Sequence, residues 1–448
     1  MASDTEGYSA GAAFRAAIAR LRRIESASAD VIDEAGVADA AEDPPDEAPL
    51  QPSADGPADR ERAMNLARER SATLRELREV SGALTTLLEP IPVDDDEVRR
   101  ISAGRWVVYL DVSDHFVYSA TVGPVPGSAS VNAPRRLTHA AARLLGQLSD
   151  PRLAPIVAAS ALSMYWDEMS ELGQVFIPKD VQIALALAGP DSPIDILIVP
   201  TGDLYAFPFS ACVVNGEPIL SCAVVTVAPS VRLIEALDSR ESGAASRGPL
   251  IYVDTALPGA EAERSALRRA SPDASEPGSV AELRQALTEG NRYQWISLAV
   301  HGEFDAGGLH QYLRLSARDT LTVGDCMDLT FARRMVAGAC WIGRVDHVHG
   351  ADPIGLPIAC MMRGTGVFVG GLFPISDEAT GHILAGVYSR LVVGEPLPAA
   401  LRREQLEYFR LRPDAPLRAW AGLVAIGSDH TPARGDENRW REGVESAS

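Results

Sequence analysis

Between Pro249 and Ile426 the chain alternates short apolar runs with helical stretches, and that alternation leaves few folds open. The runs Pro249 to Val253, Trp295 to Val300, Met335 to Ala339, Gly366 to Leu372 and Trp420 to Ile426 have strand length and strand-forming residues. Helical patterns near 260–270, 279–289, 353–363, 377–392 and 397–410 separate them. Runs that are apolar throughout belong to strands covered on both faces, so the pattern predicts an α/β fold with a mostly parallel sheet. Right-handed crossovers then bring the five strand ends, at 254, 301, 340, 373 and 427, to one edge. In open α/β sheets ligands bind outside that edge.

Two of those ends carry chemistry. The third run ends in Cys340, and the second runs directly into His301-Gly302-Glu303. An imidazole beside a thiol takes its proton, the thiolate attacks, and the same imidazole protonates a leaving amine. Free cysteine is also among the most buried residue types, so a core thiol and a half-buried histidine are the plainer alternative. Position at one edge, with His before Cys, favours the nucleophile and base. Gly302 lets backbone approach a substrate carbonyl, and its N–H is a candidate oxyanion donor; a simple turn glycine fits the spacing equally well. Asp254 and Asp377 end two further strands and are candidates to line a pocket for a positively charged side chain. Asp377 is equally placed to cap the helix starting at Glu378, and Asp254 to close a turn.

Other chemistries find little support. His347-Val-His349, close to Asp346 and Asp352, lacks the second ligand cluster a zinc site needs, so a solvated loop and no metal are expected. No Gly-rich phosphate-binding loop follows a strand, and no cofactor is expected. Net charge is −20 over 448 residues, with Lys179 the single lysine. That balance argues against nucleic acid and against an anionic membrane as partners. Five cysteines, odd in number and without paired spacing, fit a reducing compartment, and neither a secretion signal nor a spanning apolar run is present. A cytoplasmic location follows as an expectation.

The preceding residues divide by composition. A short N-terminal segment, 1–28, contains an amphipathic helix from Ala10 to Ile24. In 29–60, from Asp30 to Asp59, ten acidic residues, five prolines and no basic residue predict a disordered tether. The segment 61–104 contains a helix, roughly Arg60 to Leu88, with Leu74, Leu77, Val80, Leu84 and Leu87 on one stripe. A hairpin of 106–112 and 117–122 opens the next region, 105–240, followed by helices near 135–148 and 152–170. Strands at 194–200 and 222–227 and a helix ending near Asp238 complete it, and polar Ser239 to Gly248 marks a boundary before 249–428. A tail, 429–448, ends the chain.

Six motifs in order resemble the CHAT domain, a family of caspase-like cysteine peptidases related to separase. They are Ile198-Val-Pro-Thr-Gly-Asp-Leu-Tyr-Ala-Phe-Pro-Phe-Ser-Ala211, Leu257-Pro-Gly-Ala-Glu-Ala-Glu263, Leu298-Ala-Val-His-Gly-Glu-Phe-Asp305, Gly338-Ala-Cys340, Gly371-Leu-Phe-Pro-Ile-Ser-Asp377 and Trp420-Ala-Gly-Leu-Val-Ala-Ile-Gly427. The resemblance covers about 105 to 428. It implies a caspase-like α/β/α sandwich in 249–428, preceded by a degenerate caspase-like half in 105–240 and by the N-terminal helices. It further implies a His301–Cys340 dyad with Gly302 in the oxyanion hole, and a substrate lying extended beside the strand of Leu372 and Phe373. A cysteine endopeptidase of a bacterial defence or cell-death module follows, triggered by a sensor or activator protein. The implied substrate is a protein, with a gasdermin-like or other effector encoded nearby as one candidate. A catalytically silent scaffold that binds partners is the alternative. The family has Ser-Ala-Cys-Glu-Thr-Gly where this chain has Gly-Ala-Cys340-Trp-Ile-Gly343, and Trp where Phe373 stands.

Overall fold

One ten-stranded sheet runs through the described residues, which in this computed structural model are 95–113, 116–124, 128–238, 245–257, 260–304, 311–345 and 355–429. The helices read at Ala10–Ile24 and Arg60–Leu88, the acidic tether, the His347–His349 loop and the tail beyond Asp429 lie outside them. Helix α1 (Asp95–Ile101) leads into β1 (Trp106–Ser113), β2 (Phe116–Val122) and β3 (Ala129–Arg136), then α2 (His139–Ser149), α3 (Ala154–Ala158), α4 (Trp166–Phe176) and α5 (Lys179–Leu187). Next come β4 (Ile194–Pro200), the short pair β5 (Val213–Val214) and β6 (Glu217–Pro218), β7 (Ala223–Val227) and α6 (Val231–Asp238). The second half runs β8 (Leu250–Val253), α7 (Ala260–Ala270), α8 (Val280–Leu287), β9 (Ile296–Ala299), β10 (His301–Glu303), β11 (Tyr312–Arg314), β12 (Thr320–Thr322), α9 (Val323–Cys326) and β13 (Arg334–Ala337). It ends with α10 (Leu356–Met362), β14 (Val367–Gly371), α11 (Asp377–Val392), α12 (Leu397–Leu411), α13 (Leu417–Trp420) and β15 (Leu423–Gly427).

The strand order is β3-β2-β1-β4-β7-β15-β14-β13-β9-β8, so residues on both sides of the 239–248 stretch share one sheet. Pairing is parallel from β1 through β4 and β7 to β15, and again from β14 through β13 and β9 to β8. Every residue of β8, β9 and β14 is buried, as expected of strands covered on both faces. The fold is therefore α/β with a mostly parallel sheet.

One strand runs against the expectation. β15 pairs antiparallel with β14, Val367 opposite Gly427 and Gly371 opposite Leu423, so residue 427 leaves at the edge where β14 begins. The cause is the connection. α11 and α12 pack together as a helical hairpin, so the chain crosses the sheet twice and β15 starts where β14 ended. The Leu372 N–H, donated to the Gly422 carbonyl at 2.9 Å, fastens that junction.

Two further differences have local causes. The stretch before residue 137 is edge strand β3, and the helix expected near 135–148 starts at His139, where the Thr138 hydroxyl accepts the Ala141 N–H. The stretch 152–170 is α3, a 3₁₀ turn at Leu162–Tyr165 and the start of α4 rather than one helix. Buried arginines bind the two halves together. Arg402 on α12 donates to the carbonyls of Pro190, Leu220 and Ser221 at 2.7, 2.9 and 2.5 Å, and Arg105 reaches Asp238 at 2.6 Å and the Ser428 hydroxyl at 2.9 Å. Removing the partner of such a buried cation costs about 3–5 kcal/mol.

Candidate active site

The parallel register of β13 on β9 sets Met335 opposite Ile296, Val336 opposite Ser297 and Ala337 opposite Leu298. The pairing stops at Ala337, and the Ala339 N–H turns back onto the Ala337 carbonyl at 2.8 Å just before Cys340. Neighbouring parallel strands lie about 4.8 Å apart, and His301 and Cys340 follow the ends of two such strands at one sheet edge. The Gly338 N–H donated to the Leu298 carbonyl at 3.1 Å keeps the strands together almost to that point.

Cys340 and His301 are both half-buried. Burial pushes the thiol above its ordinary value, the backbone N–H of Ile375 donated to the sulfur opposes this, and the Asp377 carboxylate adds to the rise. The sulfur already meets a backbone donor. No hydrogen bond joins it to the imidazole.

The chain does not enter a loop at His301. Residues 301–303 form β10, which pairs antiparallel with β11, His301 opposite Arg314 and Glu303 opposite Tyr312. This small sheet holds the imidazole backbone on one side while the 339–342 turn packs on the other. A Cβ at Gly302 would collide with the Cys340 carbonyl oxygen and with Ile342, so glycine at 302 is required for the two segments to touch.

The remaining expected residues fall into two groups. Asp377 is exposed at the start of α11, close enough to act on the Cys340 thiol. It does not cap the helix, since the N-cap is Ser376. Asp254 is half-buried one strand beyond His301, its N–H on the Ala299 carbonyl at 2.9 Å, and its carboxylate accepts the Ala256 N–H at 3.0 Å, which closes the turn. Leu372 and Phe373 are 1% and 0% exposed; with Ala158 they form an apolar cluster against which Trp341 packs. Their side chains support the site from below.

Three features were not visible in the sequence. Glu263 on α7 is desolvated, which raises its carboxyl to about 7, with the hydrogen bond from Tyr388 lowering it and Asp377 raising it. Its Oε1 accepts from the Tyr388 hydroxyl at 3.0 Å, and that hydroxyl lies 2.9 Å from Ser297 Oγ on β9. The same oxygen would lie 3.6 Å from a Cβ on Gly338, two residues before the thiol. Trp341 adopts a left-handed φ of 66°, unusual for a bulky residue, and stacks on Phe304 with centroids 5.8 Å apart. Buried Gln311 donates to the Trp341 carbonyl at 3.1 Å and accepts the Leu356 N–H at 3.0 Å, tying the turn after Cys340 to α10. Among the described residues no group of three or more His, Cys, Asp or Glu side chains converges as metal ligands.

The model of the CHAT domain matches residues 167–428, more than half of the chain. No curated protein matches it. Among solved structures, the Saccharomyces cerevisiae separase–securin complex at 3.0 Å resolution is similar with a TM-score of 0.50 at 8% identity, over 84% of this chain and 34% of that one. A second structure of that complex, at 2.6 Å, gives 0.47 at 10% identity over 84% and 34%. The Arg-specific cysteine proteinase gingipain R gives 0.42 at 10% identity over 58% and 67%. The chain thus spans about a third of the separase chain, and at 8% identity the likeness is one of fold. With the larger part of its length matched by the family model, the chain belongs to the CHAT domain family.

Proposed function

We propose that this chain is a cysteine endopeptidase acting through His301 and Cys340. The observation that supports the reading is that both residues follow the ends of paired parallel strands, with Gly302 against the Cys340 carbonyl. His301 takes the thiol proton as sulfur bonds to the scissile carbonyl carbon, and the carbonyl oxygen becomes an oxyanion facing the Gly302 N–H. Collapse breaks the C–N bond, and the proton on His301 goes to the leaving amine. Water, deprotonated by His301, then adds to the thioester, releasing the new carboxylate and returning the proton to sulfur. Asp377, near the thiol, and Asp254, one strand away, favour a basic side chain before the cleaved bond.

Activation by a partner protein is part of the proposal, since burial raises the Cys340 thiol and a change at the site that lowered it would favour attack. The similar separase structure is itself a complex with securin. A place in a bacterial defence or cell-death module, in the cytoplasm and with a protein effector as substrate, is part of the same proposal. No helix among the described residues is long and apolar enough to cross a membrane. The scaffold reading draws on one observation, the missing hydrogen bond between imidazole and thiol. A peptide library incubated with the purified chain under reducing conditions, with Cys340→Ala as control, separates the two. Thiol-dependent cleavage supports the peptidase. A parent and a Cys340→Ala variant that act alike in cells would overturn it.

A further inference from the structure

A second concave site lies in the first half of the molecule. It is a cavity of about 530 Å³ between β3, α4, α5 and the β5–β6 pair, lined among others by Asn132, Arg135, Gln174, Lys179, Val213 and Asn215. Its volume falls in the range of pockets that hold small organic ligands, roughly 300–1,000 Å³. None of the described residues lining it is acidic, although the chain has 61 acidic and 41 basic residues. Asp180 and Glu217 each adjoin a lining residue in sequence, yet neither lines the cavity.

The polar groups there sort by what they have left to offer. Arg135 and Lys179 are exposed at the mouth of the cavity, and neither forms an ion pair with a described residue. Lys179 is the single lysine of the sequence, and it opens α5, the end at which a helix dipole opposes a cation. Asn132 gives its amide N–H to the Ser119 hydroxyl at 2.9 Å and Asn215 gives its own to the Gln182 carbonyl at 3.0 Å, which leaves both carboxamide oxygens as acceptors. The cavity thus combines two cations with neutral acceptors. Among the described residues no aromatic ring lines it on which a nucleobase could stack.

We propose that this cavity binds a phosphorylated, hydroxyl-bearing small molecule of sugar-phosphate type, at a site separate from the dyad. Arg135 and Lys179 hold the phosphate, the guanidinium as a planar fork and the ammonium as a point charge, while the Asn132 and Asn215 carboxamide oxygens accept from sugar hydroxyls. Titration calorimetry on the full chain tests this with glucose 6-phosphate, ribose 5-phosphate and glycerol 3-phosphate. Glucose, inorganic phosphate, AMP and citrate serve as comparison probes.

At least one sugar phosphate is expected to bind with a Kd below about 1 mM, more tightly than glucose, phosphate, AMP or citrate. Replacing both cations, Arg135→Ala with Lys179→Ala, is expected to weaken it by about tenfold or more. Arg136→Ala, at an exposed neighbour that does not line the cavity, leaves it unchanged. Absence of binding by all three sugar phosphates, tighter binding of citrate or AMP, or full binding by the double variant would each overturn the proposal. None of these readings depends on peptidase activity.

Discussion

The two halves of the sheet each contain parallel strands but end differently. In the half from Trp106 to Asp238, β4 stops at Pro200 and the Thr201 hydroxyl closes onto Asp111 at 2.5 Å. In the half from Leu250 to Gly427, β9 continues into β10 and lies against the turn that follows β13. Each half also holds a cysteine that invites comparison. Cys212 is fully buried, and burial alone drives its thiol far above the ordinary range. Cys340 is half-buried, and a backbone N–H reaches its sulfur. The second half thus places a half-buried thiol and a half-buried imidazole after the ends of two paired strands, and the proposed chemistry needs both strand ends and an opening to solvent.

The sharpest break of that comparison is the cysteine pair itself. Cys340→Ala is expected to lower cleavage by roughly 10³-fold or more while leaving the melting temperature within a few degrees of the parent. Cys212→Ala is expected to do the reverse, costing about 1 kcal/mol of stability with activity unchanged. Peptide cleavage and thermal melts on both variants check the pair. Activity lost in Cys212→Ala and kept in Cys340→Ala would place the chemistry in the wrong half.

The glycines come next. At Gly302 an added Cβ meets the Cys340 carbonyl, whereas at Gly189 in the first half it meets nothing within 4 Å. Gly302→Ala is expected to push the two strand ends apart, costing about 1–3 kcal/mol and roughly 100-fold in cleavage. Gly189→Ala should leave both close to the parent. An active Gly302→Ala variant would separate the contact from catalysis.

How much of this could be read in advance followed from where each residue's environment is made. The strand ends at which His301 and Cys340 stand were legible because buried parallel strands leave long apolar runs, and whatever polar residue follows such a run stands out. The direction of β15 was not, since one helix and a helical hairpin between strands look alike as sequence but return the chain to opposite edges. β3 was missed because an edge strand with Asn132 and Arg135 lacks a clean alternation. Glu263 sits in Ala-Glu-Ala-Glu-Arg, which reads as a solvated helix face. Its burial comes from Tyr388, 125 positions away.

That residue gives a third test, again with a counterpart in the other half. A carboxyl raised from 4.5 to about 7 keeps, when folded, a proton that the unfolded chain has released. Its stabilising effect is complete below about pH 4.5 and is lost as pH rises through about 7. At ~1.4 kcal/mol per pH unit the loss is of order 3 kcal/mol. Asp195 on β4 behaves likewise at lower pH, raised to about 6 by burial with Arg105 opposing. Melting temperatures followed from pH 5 to 8 should therefore fall less steeply between 6 and 7.5 in Glu263→Gln than in the parent. Asp195→Asn should remove slope only below about 6. Parallel curves for parent and Glu263→Gln would show that the carboxyl is ionised throughout.

The smallest effect is the most discriminating, because one substitution moves two readings in opposite directions. Asp377 raises the Cys340 thiol, so Asp377→Asn lowers it and leaves more thiolate at neutral pH. Alkylation of Cys340 by iodoacetamide, followed by mass spectrometry at that residue, is expected to run a few-fold faster in the variant. If Asp377 also receives the basic side chain of the substrate, cleavage after Arg or Lys falls several-fold despite the more reactive sulfur, while cleavage after uncharged residues holds or rises. Faster alkylation with undiminished cleavage after Arg would confine Asp377 to the thiol and leave basic selectivity to Asp254, whose turn bond to Ala256 gives it less freedom to serve.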